Sequence, residues 1–125
     1  SKSLYDADEA VRLEGAQAAT YQADALLTAP LVGALEKDAS LRVRQMAAVA
    51  LGKRPGDASQ KALLAALGDA EAAVRNAAAS ALGDIGDAEA AKALESRLAE
   101  EKDEGVRAQI QTSLARIGER LKGGR

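Results

Sequence analysis

The sequence predicts an all-α fold in which short helices stack as a solenoid, and three observations carry that expectation. First, one phrase recurs four times, ending in Val11-Arg12, Val43-Arg44, Val74-Arg75 and Val106-Arg107, with the valines 32, 31 and 32 residues apart. A fixed period of that size marks units that bury their apolar faces only by stacking on their neighbours. Second, alanine makes up about a quarter of the 125 residues, leucine is the main large apolar type, and Phe, Trp, Cys and His are absent. Alanine is the strongest helix former and lets helix backbones approach closely. Third, no β-branched run or alternating segment argues for a strand.

Along the chain, the first copy is degenerate. Glu14 and Gly15 stand where the later copies have Met46-Ala47 and Ala77-Ala78, and Ala19 replaces a leucine. Its helix is expected to be the least stable. The next helix, around Leu26, Leu27, Leu31 and Leu35, accepts Pro30 if that residue falls in the first turn. In the second copy Val43, Met46, Ala47, Ala50 and Leu51 form an apolar stripe leading to Gly52, Pro55-Gly56 supplies the turn, and Ala62, Leu63, Ala66 and Leu67 follow. In the third, Val74, Ala77, Ala78, Ala81, Leu82 and Ile85 recur at helical spacing. Gly83 and Gly86 read as stops, and Asp87 as the cap of a helix through Ala90, Leu94 and Leu98. In the last copy Gln109 and Ser113 replace Met46/Ala77 and Ala50/Ala81, which reads as a wettable C-terminal cap. Leu4 holds the place of Leu35, Leu67 and Leu98, so residues 1–5 read as the tail of a truncated outer helix, and Lys122 to Arg125 as a frayed tail.

The motif D-x-x-x-x-V-R-x-x-A-A-x-A-L-G-x-I-G-D, clearest from Asp69 to Asp87, resembles the short HEAT-like repeats first noted in phycobilisome lyases. The resemblance implies a right-handed α-solenoid of antiparallel helix pairs of about 31 residues. Residues 1–125 would form one HEAT-like repeat domain with four inner helices and three complete outer ones. The Val-Arg helix would be the second of each pair and line the concave face.

Four arginines in a row, Arg12, Arg44, Arg75 and Arg107, could grip phosphates or carboxylates. Each instead follows a valine of the apolar stripe and lies six residues beyond an acidic residue, so it can bond the acidic turn of its own or the adjacent unit; a structural ladder along the repeat seam is the stronger reading, and the family resemblance implies the same. Arg97, by contrast, reads as solvated on the outer side. The glycines of Gly83 to Asp87 follow no strand and precede no Gly-Lys-Ser/Thr, so they are not a phosphate loop. Without His or Cys, no catalytic residue, metal site or cofactor is expected, and the paired His-Glu iron sites of one HEAT-type enzyme class are excluded. A formal charge of −2 predicts neither nucleic acid nor an anionic membrane as partner. The basic, aromatic-lined groove of HEAT-type enzymes acting on alkylated DNA is likewise missing. No apolar stretch approaches the roughly 20 residues that span a bilayer, and the cysteine-free chain suits the cytoplasm.

The positions two, six and ten after each valine point away from the packing stripe and vary from copy to copy. Among them Gln17, Tyr21, Gln45, Val49, Lys53, Asn76, Ser80, Asp84, Thr112 and Arg116 are the candidate partner-binding residues of the inner face. Their mixed chemistry suits adaptable bonding to a protein partner or to the rest of a larger protein. The expected function is a non-catalytic interaction scaffold or adaptor. An accessory lyase-like subunit that helps attach a chromophore, and an engineered repeat-protein binder, are the alternatives.

Overall fold

A computed structural model describes residues 8–22 and 24–123. The outer-helix tail expected at residues 1–5 and the last two residues of the chain lie outside that range. Among the described residues seven α-helices follow one another: α1 (Glu9–Ala19), α2 (Thr28–Lys37), α3 (Leu41–Leu51), α4 (Asp57–Ala66), α5 (Ala72–Ile85), α6 (Ala88–Glu100) and α7 (Glu104–Gly123). A 3₁₀ turn at Ala25–Leu27 leads into α2, which places Pro30 in that helix's first turn, where its missing N–H costs nothing. Asp8, Ser40 and Asp87 accept backbone N–H groups as N-caps of α1, α3 and α6. Among the described residues there is no strand.

The odd-numbered helices stack in one row, α1 on α3, α3 on α5 and α5 on α7. The even-numbered helices form a second layer in which each packs on the Val-Arg helix that follows it: α2 on α3, α4 on α5, α6 on α7. In that layer α2 also lies along α4, whereas α4 barely touches α6. One thin core runs between the layers. Its largest members, Leu51, Leu63, Leu82, Leu94, Ile110 and Ile117, are fully buried, and Val43, Val74 and Val106 sit beneath the arginines. Alanines fill the rest, which is what allows the odd-numbered helices their close approach.

Four details differ from the sequence expectation. Val11 is 59% exposed, because no described helix covers α1 in the way α2 covers α3. Gly83 does not stop a helix: it lies inside α5, which runs two residues further and is ended by Gly86 with an ordinary negative φ. Its small size is needed elsewhere, since a Cβ at Gly83 would lie 2.7 Å from Ser113 Oγ. Gly52 stands in the same relation to Ala81, at 2.8 Å between Cβ atoms. Ser113 is accordingly not a wettable cap. It is fully buried at the α5–α7 contact and donates to the Ala79 carbonyl at 2.7 Å. Gln109, the other expected cap residue, is half-buried and donates to Ser113 Oγ at 3.2 Å, and Gln111 is exposed at the position where Ala48 and Ala79 are buried. Lastly, Lys122 and Gly123 continue α7 as helix.

Candidate functional site

The four repeated arginines start from the first turn of each Val-Arg helix, and their reach is set by that position. Arg44 holds Asp69 of the next unit through Nε and Nη2 at 2.9 and 3.1 Å, and its Nη1 donates to the Asp38 and Ala39 carbonyls of its own turn. Arg75 repeats the pattern with Glu101 at 2.9 Å through both nitrogens and with the Asp69 and Ala70 carbonyls. Arg12 holds Asp38 at 2.7 and 3.1 Å. Arg107 donates to the Leu98 and Glu101 carbonyls. Each two-pronged bond joins one unit's Val-Arg helix to the turn that opens the next, and the planar guanidinium fork is the group that can make it.

The carboxylates answer to this. The Arg75 hydrogen bond, helped by the Asp103 N–H and by the charges of Arg75 and Arg97, outweighs burial and pulls the Glu101 carboxyl down to about 2. At Asp38 and Asp69 burial works to raise the carboxyl, but the bonds from Arg12 and Arg44, together with the Ser40 and Glu71 N–H groups, hold both below the usual carboxylate range. Arginines engaged in this way have little left to offer a ligand.

The variable inner residues part into groups. Gln45, Val49 and Lys53 of α3 and its following turn face Asn76, Ser80 and Asp84 of α5 across a groove of about 370 Å³ floored by Ala77 and Ala81. The amides stand at one end, Lys53 and Asp84 at the other, with Val49 and the Ser80 hydroxyl between them. The structure does not bring the remaining candidates to this groove. Gln17 is exposed on α1, Tyr21 is 88% exposed in the turn after it, and Thr112 is exposed on α7. Arg116 of α7 reaches over to pair with Asp84, which bridges the neighbouring stretch between α5 and α7.

Sequence reasoning missed three arginines. Arg54, just before Pro55, is almost fully buried and donates to the carbonyls of Ala19 (3.1 Å), Gln22 (2.6 Å) and Asp24 and to the Thr28 hydroxyl, fastening the α1–α2 connection. Arg120 does the same for the end of α5, donating to Gly83 and Gly86 at 2.8 and 2.6 Å. Arg97 is not merely solvated, for its Nε lies 3.3 Å from Glu101. The only signal for Arg54 was its place beside the Pro-Gly turn, where a long side chain can fold back over exposed helix-end carbonyls.

Among the described residues no three His, Cys, Asp or Glu side chains converge as metal ligands, and no helix is long and apolar enough to cross a membrane. A family model described as HEAT repeats matches residues 28–115, from the first residue of α2 into α7. No curated protein matches the chain.

Proposed function

Because the chain belongs to the HEAT-repeat family, we propose that it is a non-catalytic interaction scaffold that holds a protein segment in the groove between α3 and α5. HEAT repeats generally mediate protein–protein interaction, and the family is typically a non-enzymatic scaffold. One observation carries the placement: six residues that differ between copies come from two helices to line one groove, while the residues constant between copies are engaged in the core and the ladder. Amide and hydroxyl groups, with a lysine and an aspartate, over an alanine floor suit a partner that offers backbone and polar side-chain groups.

Changing Gln45, Asn76 and Ser80 together to Glu should abolish capture of the partner in pull-downs while the circular dichroism and melting temperature stay near wild type. Retention of every partner by the folded triple variant would place the binding face elsewhere.

A further inference from the structure

The groove between α3 and α5 is lined by polar groups that the fold itself leaves unused. Among the described residues the amides of Gln45 and Asn76, the Ser80 hydroxyl and the Lys53 ammonium group have no hydrogen-bond or ion-pair partner. Asp84 differs, because Arg116 of α7 already pairs with it. That end of the groove therefore holds two cations against one carboxylate, and the unmatched charge is that of Lys53. The opposite end is positive as well. Arg42 lies three residues before Gln45 on the same face of α3, is exposed, and has no partner for its guanidinium among the described residues. A chain with a formal charge of −2 thus presents a groove with surplus positive charge at both ends and uncharged amide, hydroxyl and valine groups between them.

We propose that this groove takes an extended acidic segment of a partner protein, which rests on the reading above that it holds a protein segment at all. A carboxamide offers an N–H donor and a carbonyl acceptor side by side, the complement of one backbone peptide unit. Gln45 on α3 and Asn76 on α5 hold the segment's backbone in that way, whatever its side chains. Selectivity comes from the ends of the groove. Arg42 and Lys53 stand eleven positions apart, about 16 Å along the helix direction. An extended chain covers that length in about five residues, so two Asp or Glu residues at roughly that spacing reach both cations. Nucleic acid fits less well, since the groove has no aromatic side chain on which a base could stack and carries a carboxylate of its own.

The test pans a phage-displayed library of random peptides, about twelve residues long, on the whole chain. Recovered peptides are then synthesised with a fluorescent tag and titrated by anisotropy. Enrichment in paired Asp or Glu at that spacing is expected, with binding weakened at least about tenfold by Arg42→Glu combined with Lys53→Glu. Lysine in place of the two acids of the peptide should restore binding to that double variant. Both side chains are exposed and stand outside the core and the ladder, so the double variant should melt with the wild type. Recovered peptides without acids, or equal binding by the folded double variant, would overturn the acidic partner; if such peptides are lost from the Gln45, Asn76 and Ser80 triple variant, the groove still binds a protein segment. Peptides that bind the triple variant unchanged, or no enrichment over an uncoated surface, would sink both readings. Displacement of the peptides by an equal concentration of a random-sequence single-stranded oligonucleotide would also refute the proposal, since the cations would then serve phosphates.

Discussion

Glu101 takes more bonds than any other carboxylate of the ladder: both prongs of Arg75, the Nε of Arg97 and the Asp103 N–H. Its pKa, lowered from 4.5 to about 2, favours the folded state at every pH above the unfolded value. That contribution fades as the solution is acidified from about 4.5 to about 2 and is gone below it. Glu101→Gln should therefore cost about 1–2 kcal/mol at neutral pH, allowing for solvent screening, and flatten the loss of stability across that acid range in urea titrations. Arg75→Ala removes the two-pronged partner of a buried carboxylate and should cost about 2 kcal/mol, where Lys92→Ala on an exposed face of α6 should cost under about 0.5. Melting temperatures that agree for the two variants would count against a structural role for Arg75. The acidic turns and the arginines could be related from sequence because their spacing within a unit is fixed. Arg97's share in the same carboxylate could not, since it depends on how α6 ends relative to Arg75 of another helix.

At the level of the helix, the 31- to 32-residue register carried the reading from the clear stripe of α5 to the other elements, including α1, where Glu14 and Gly15 interrupt the stripe. What periodicity hides is the meaning of a glycine. In isolation Gly83 reads as a breaker; in the fold it is the notch into which Ser113 fits, as Ala81 fits against Gly52. Thr20 holds the corresponding place in the first copy, buried with its hydroxyl on the Ala16 carbonyl. Gly83→Ala should accordingly destabilise by about 1–3 kcal/mol, in spite of alanine's better helix propensity, because Ser113 is fixed by backbone and cannot withdraw. Gly15→Ala, at an open position within α1, should stabilise by about 0.5–1 kcal/mol. Chemical denaturation of the two variants reads the opposite signs directly.

Across the whole molecule, the neighbour-only contacts of a repeat array make stability a local property. Helix α1 touches α3 but has no described covering helix, and Val11 is left in solvent. Its amides should exchange with deuterium at least about tenfold faster than those of α5, which is packed on both sides. Arg54→Ala should widen the difference by releasing the α1–α2 connection, and uniform exchange along the array would contradict this gradient. The degenerate first copy announced that weakness in sequence through Gly15 and Ala19, whereas the groove between α3 and α5 was visible there only as a set of inconstant positions, since a groove is made by the distance between two helices. That distance is itself held twice, by the arginine bridges near the start of the inner helices and by the glycine notches near their ends. In the opposite layer α4 is joined to the cap of α6 by the Gln60 amide, which donates to the Asp87 carboxylate at 3.0 Å, with neither a guanidinium fork nor a glycine notch. The chain thus resembles a strip with one inextensible edge and one compliant edge: bending changes the gap on the even-numbered side, and the mouth of the groove keeps its width as the strip flexes.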